Sequence, residues 1–294
     1  MLIQVGYDIE YELPASAEAF FALSIHPSRW NRVRQPECLR IHPQVPIAEF
    51  SDSFGNYCGR ATLPSGTVRF TNEAVVEDDG KPDPTNPSAR QLKVSDLPPE
   101  TLQFLLPSRY CEVDGEILQI AWGLFGSTRE GWDRVQAICD FVHGHLKFDY
   151  NQARSTRTAL EGYRERVGVC RDFMHLAITL CRCMNIPARY ATGYLGDICV
   201  PPVPFPMDFS AWFEVFLEGR WWTFDARHNQ RRVGRVLMAV GRDAADVALT
   251  TIFGPHWVAK FVVKTEEIND AQLSAQFSLG SFPSAPRRCE MAHS

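Results

Sequence analysis

An α+β fold is predicted for this 294-residue sequence by three observations: strict apolar alternation at its start, a helical apolar run after Cys170, and a tryptophan-rich hairpin pattern beyond that run. Ile3, Val5, Tyr7, Ile9 and Tyr11 recur every second residue, the period of a half-buried strand. Residues 67–76, between Pro64-Ser65-Gly66 and Asp78-Asp79-Gly80, read as another strand bounded by turns. Together they predict a β-sandwich-like N-terminal domain. The segment 81–99 carries Pro82, Pro84, Pro87, Pro98 and Pro99 and reads as a loop or a loosely packed connection.

Helical character is expected from about Ser127. Ser127 and Glu130 have the spacing of a capping box ahead of Trp132, Val135, Ile138, Phe141 and Val142. A second helix begins at Cys170, with Phe173, Leu176, Ala177, Leu180, Cys181 and Met184 on one face, and ends at Asn185-Ile186-Pro187. Gly168 is expected to supply the permissive backbone for the sharp entry. At a helix N-terminus unpaired N–H groups and the macrodipole favour an anion, so a thiol there is expected to have a lowered pKa and an oxyanion can be held beside it. Residues 189–195 form a strand candidate, a loop with Pro201, Pro202, Pro204 and Pro206 follows, and then comes a hairpin. Its strands are 210–217 and 220–225 around the turn Glu218-Gly219. Pairing Leu217 with Arg220 puts Asp225 opposite Trp212 and makes Ser210 and Asp225 diagonal neighbours on one face. Residues 257–263 alternate as a short strand, and a polar tail follows.

Composition narrows the function classes. Apolar residues at 45% and charged residues at 22% describe a globular chain. A net charge of −5 without a block of basic residues argues against nucleic acid as a partner. No stretch approaches the roughly 20 apolar residues of a membrane span, and no secretory leader is readable at the start, so a cytoplasmic location is expected. Nine irregularly spaced cysteines point to free thiols. Cys181 and Cys183 lack zinc-site spacing, and no acidic loop has calcium-ligand spacing, so no metal or other cofactor is expected.

Four motifs in order, Gly168-Val169-Cys170-Arg171-Asp172-Phe173, Ile186-Pro187-Ala188-Arg189 with Gly193-Tyr194, Ala211-Trp212-Phe213-Glu214-Val215, and Trp221-Trp222-Thr223-Phe224-Asp225, resemble the core of the transglutaminase-like superfamily. Asp52-Ser53-Phe54-Gly55-Asn56 resembles the β-rich N-terminal domain of bacterial members. The resemblance implies a papain-like core with the nucleophile helix packed on an antiparallel sheet, and a division into 1–110, 111–264 and a C-terminal tail at 265–294. It also implies that Cys170 attacks an amide carbonyl to give a thioester, that Asp225 orients a histidine, and that the partner is a peptide or protein carrying the amide. Hydrolysis is expected over transfer to an amine, for which no acceptor site is readable.

The sequence departs from the family at the residue before Ala211-Trp212, where a histidine is expected and Ser210 stands. A serine hydroxyl is no base near neutral pH. Weak amide turnover, or a degenerate binding or scaffolding module, is therefore expected, and Ser210→His is expected to raise turnover because Asp225 remains to orient a new imidazole. Other histidines are weaker candidates. His175 lies about 140° round the helix from Cys170, His143 and His145 suit a helix end, and His228 falls on the opposite face from Asp225 unless the strand breaks at Ala226-Arg227. Trp212 is a candidate wall of the substrate pocket and Asn151 a candidate oxyanion donor.

Overall fold

A computed structural model describes residues 1–203 and 207–273. Pro204 and Pro206 of the expected loop, and residues 274–294 of the tail, lie outside the described residues. The fold is a mixed α+β architecture with N-terminal antiparallel sheets and a core of helix on sheet. The opening alternation becomes the strand Leu2–Leu13, whose apolar residues Ile3, Val5, Tyr7, Ile9 and Tyr11 are all buried. It pairs antiparallel with Gly66–Glu77 on one side and Trp257–Ile268 on the other. The last strand thus runs beyond the expected 257–263 and joins the first sheet. A second sheet of Thr250–Phe253, Ala17–Phe21, Tyr57–Leu63 and Ala48–Ser51 shares a core with it, in which Phe21 and Leu63 meet Ile9 and Phe70. Alternation on facing sheets is what builds such a sandwich.

The loop at Asp52 fastens this sandwich to the rest. Asp52 Oδ1 accepts from the amides of Phe54 and Asn56 at 2.9 Å each. That fixes the turn. Asn56, fully buried, donates to the Val240 carbonyl at 2.8 Å and accepts from the Val240 amide at 2.8 Å. Its side chain imitates a strand partner for Val236–Gly241.

In the second half the sheet order is Arg220–Phe224, Ser210–Leu217, Ala188–Tyr194 and Val236–Gly241, all antiparallel. The hairpin register is the expected one, with Leu217 opposite Arg220 and Phe213 opposite Phe224. Helix Cys170–Cys183 packs on this sheet, and every residue of 172–183 is buried. That corrects the single buried face read from its periodicity. Helices Glu116–Phe125, Trp132–His145 and Ala159–Glu165 cover its other side, so polar positions such as Thr179 and Arg182 are enclosed too. Arg182 is satisfied by carbonyls, donating to Ala188 at 2.9 Å and to Leu106 at 3.0 Å.

Three local expectations are corrected. No capping box forms at Ser127; one helix has already started at Glu116, and the next starts at Trp132 after Gly131, whose φ of 86° only glycine adopts freely. Gly168 has no positive φ, and its requirement is space: a Cβ there would meet Asp172 Cβ at 2.6 Å. The 81–99 segment is a loop, as expected, but not a loosely packed one. Ala89 is buried and its carbonyl accepts from the Trp132 amide at 3.0 Å. No helix among the described residues is long and apolar enough to cross a membrane.

Candidate active site

Cys170 opens its helix where two clefts meet. One, of about 180 Å³, has Cys170, Ser210, Arg227 and His228 in its walls. The other, of about 310 Å³, has Cys170, Tyr190, Thr192, Phe209 and Phe261. The two cavities share Cys170, Asp208, Phe209 and Ser210 in their walls, so both open onto the start of this helix. The helix start is held from below. Asp172 Oδ2 accepts from the Val169 amide and from Arg157 Nη1, both at 2.9 Å. The Arg171 amide hydrogen-bonds the Cys170 sulfur, and the Cys170 amide, in the first turn, has no intrahelical acceptor.

The electrostatics of the thiol correct the sequence expectation. Burial pushes Cys170 up to about 11; the Arg227 guanidinium pulls it down, and Asp208 pushes it up again. The cleft walls remove more water from the sulfur than the helix start returns in field, so at neutral pH the resting group is a thiol. Arg227, which sequence reasoning missed, is held with its guanidinium carbon 4.0 Å from the centre of the Phe148 ring.

The strand ends at Phe224, one residue before Asp225, and the chain turns back on the aspartate. Asp225 Oδ1 accepts from the amides of Arg227 at 3.1 Å and His228 at 3.0 Å, and the Asp225 carbonyl accepts from the Asn229 amide at 2.8 Å. Asn229 has a φ of 47°, a left-handed conformation asparagine tolerates well. This turn returns His228, so that its Nδ1 lies 2.9 Å from Asp225 Oδ2. The strand break on which His228 depended is present. An ionised carboxylate only accepts, so Nδ1 carries a proton, which in the neutral ring leaves the lone pair on Nε2. Burial alone would push the Asp225 carboxyl up, but the His228 hydrogen bond and the Arg235 charge hold it well below the usual carboxylate range.

Helix Trp132–His145 buttresses the turn. His143 Nδ1 donates to the Arg227 carbonyl at 2.8 Å, and Asn229 donates to Asp140 at 2.8 Å. His143 thus serves the turn and does not line the clefts. His145 donates from Nε2 to the Tyr163 carbonyl at 2.7 Å. His175 is fully buried, stacks on Tyr110 with ring centres 4.9 Å apart, and accepts from the Ala244 amide at 3.2 Å. Burial holds it well below the ordinary histidine range.

Of the other sequence candidates, Ser210 is in the cleft, at the first position of its strand. Trp212 is fully buried and lines neither cleft; the Arg235 guanidinium lies 5.1 Å from the centre of its ring. It supports the site from beneath instead of walling it. Asn151 is exposed in a one-turn helix, its amide donating to Asp149 at 3.0 Å, and its neighbour Tyr150 lines the cleft instead. The signal that would have found His228 is the five-residue Asp-Ala-Arg-His-Asn string, in which an aspartate can cap its own turn and an asparagine can close it.

A helix-borne cysteine, an antiparallel hairpin and a buried aspartate at its end define the transglutaminase-like class of cysteine enzyme folds. The transglutaminase-like superfamily model matches residues 120–226. The crystal structure of a "putative cysteine protease" from Cytophaga hutchinsonii is 32% identical, covers 92% of this chain and 91% of that one, and superposes with a TM-score of 0.77. An uncharacterized protein of Mycobacterium leprae is 24% identical over 251 residues, which are 81% of this chain and 87% of that protein. The chain belongs to the transglutaminase-like superfamily.

Proposed function

We propose that the protein is a thiol hydrolase of peptide or protein amides, with Cys170 as nucleophile, His228 as general base and acid, and Asp225 as the residue that orients the imidazole. The observation that carries this reading is the 2.9 Å contact between His228 Nδ1 and Asp225 Oδ2 beside a cleft that Cys170 and His228 share. The base lost at Ser210 is supplied from the other end of the hairpin. The family relation and the name of the Cytophaga hutchinsonii relative support a peptide substrate.

The chemistry follows from the protonation states. His228 Nε2 takes the proton from the Cys170 sulfur as the S–C bond to the carbonyl carbon forms, because a thiol pushed up to about 11 is not ionised in advance. The carbonyl oxygen becomes an oxyanion, which the Cys170 amide at the helix start can hold. Collapse breaks the C–N bond, and the proton on Nε2 passes to the departing amine. Water then attacks the thioester with His228 again as base, releasing a carboxylic acid and returning the thiol. Asp225 stays ionised throughout and stabilises the imidazolium formed in each half.

The test is incubation of the native protein with a panel of peptide amides, following new amino termini and released ammonia, with a fluorescent primary amine added in a parallel set. Release of amine or ammonia that disappears in Cys170→Ala supports hydrolysis, and incorporation of the fluorescent amine reassigns the second step to acyl transfer. One observation favours a second reading, a binding module that keeps the cleft: Ser210 stands in the cleft wall at the position where a histidine is expected. Under that reading native protein and Cys170→Ala retain peptides equally and neither turns them over.

A further inference from the structure

The Asp225 carboxylate is shared. Its Oδ2 accepts from His228 Nδ1 at 2.9 Å and from Arg235 Nη2 at 3.0 Å. Arg235 is a buried guanidinium whose Nη1 has no partner among the described residues, and its carbon lies over the Trp212 ring at 5.1 Å. Its remaining counter-charge arrives from far away in the chain. Asp83, on the proline-rich segment, accepts from Arg235 Nε at 3.2 Å and 3.0 Å through its two oxygens. The backbone is fastened as well: the Asp83 amide donates to the Arg232 carbonyl at 2.9 Å, and the Arg232 amide donates to Asp83 Oδ2 at 3.0 Å.

We infer that Asp83 is a positioning residue for the histidine: by holding Arg235 it keeps that cation from taking Asp225 as its only counter-ion, and so leaves Asp225 to hold the imidazole of His228. The inference rests on the function proposed above. A buried cation between two carboxylates is balanced from both sides, and removing one of them drives it onto the other. The ring of Trp212 limits where else the guanidinium can go. The other titratable and charged groups around His228 are Arg227, Arg231 and Arg232 on the same loop, Asp197 at 3.7 Å from Arg232, Cys170, Tyr150 and Asp208 in the wall of the shared cleft, and Asp140 and His143 on the helix that buttresses the turn. Asp83 is the carboxylate that comes from outside this group, and it ties the connecting segment of the N-terminal half to the chemistry of the second half.

The test is the pH dependence of p-nitrophenyl acetate hydrolysis from pH 4 to 10 in the native protein, Asp83→Asn, Asp83→Glu and His228→Gln, with thermal midpoints measured alongside. In Asp83→Asn the acid limb moves to lower pH by roughly half to one unit, since one nearby negative charge is lost. The value of kcat falls about 3- to 30-fold with KM nearly constant, as expected when an orienting contact is loosened and substrate binding is not. Asp83→Glu keeps the charge and the native limb. An Asp83→Asn profile that overlies the native one, whatever its thermal midpoint, overturns the inference, and so does an equal displacement in Asp83→Glu. If Asp83→Asn does not fold, Asp83→Ser takes its place: the same downward displacement of the limb is expected, and a limb that overlies the native one overturns the inference. Loss of the limb in His228→Gln with none of these movements sinks only the role of Asp83; an unchanged limb in His228→Gln removes the proposed function as well.

Discussion

Two buried carboxylates flank the cleft, and they are built alike for different ends. Asp172, beside Cys170 in the first turn of its helix, accepts from Arg157 and the Val169 amide. Asp225, under the histidine, accepts from Arg235 and two amides of its own turn. Both have a guanidinium partner that is itself buried. The difference is the remaining ligand. Asp172 spends every contact on backbone and arginine, whereas Asp225 keeps one oxygen on an imidazole that reaches the cleft. A buried acid whose donors are all structural fixes a helix; one donor that titrates and faces a cavity turns the same device into chemistry.

The largest expected effects separate nucleophile and base from scaffold. Cys170→Ala leaves no ester or amide turnover above background, with the thermal midpoint close to native. His228→Gln and Asp225→Asn each lower kcat by about 10²–10⁴-fold, because a positioned base or its correct tautomer is lost. By contrast, Asp172→Ala acts on stability: removing one partner of a buried ion pair costs about 3–5 kcal/mol, read as a shift of the urea midpoint. If Asp172→Ala removed activity without lowering that midpoint, the contrast between the two acids would be wrong.

Smaller effects sharpen the comparison. Ser210→His is expected to give no gain in amide turnover, contrary to what the sequence suggested, because Asp225 Oδ2 is already held by His228 and Arg235. A gain would mean that Asp225 can release its present partners. Alkylation of Cys170 by iodoacetamide should rise about tenfold per pH unit from pH 7 and level off near pH 11, where burial places the thiol. A plateau already reached at neutral pH would mean a preformed thiolate–imidazolium pair. Acid stability has a definite sign as well. The depressed Asp225 carboxyl stabilises the fold fully above the ordinary carboxylate range, about pH 4, and that contribution is lost as pH falls through its lower folded value. Native protein and Asp225→Asn should therefore converge in urea midpoint only in strong acid.

Much of this was legible in the sequence, for physical reasons that can be named. Alternation gave the first strand, and the two-residue turn at Glu218-Gly219 fixed the register of the hairpin. The helix at Cys170 was readable from its apolar spacing, but burial of its polar side was not, since that depends on three other helices closing over it. The raised thiol was hidden for the same reason, as desolvation is a property of packing. Assigning His228 to the far face assumed that the strand period continued past Phe224. The side chain of Asp225 ends the strand there by capping its own turn, a local hydrogen bond that overrides periodicity. The path from Asp83 through Arg235 spans 152 residues of sequence, and no local pattern announces it.

The most direct measurement compares His228→Gln with Ser210→Ala in kcat/KM for p-nitrophenyl acetate at the pH optimum of the native protein. A fall of about 10²–10⁴-fold in the first, with the second close to native, is what a base delivered by the Asp225 turn predicts. Equal activity in native and His228→Gln, or the deep loss appearing in Ser210→Ala instead, would contradict it.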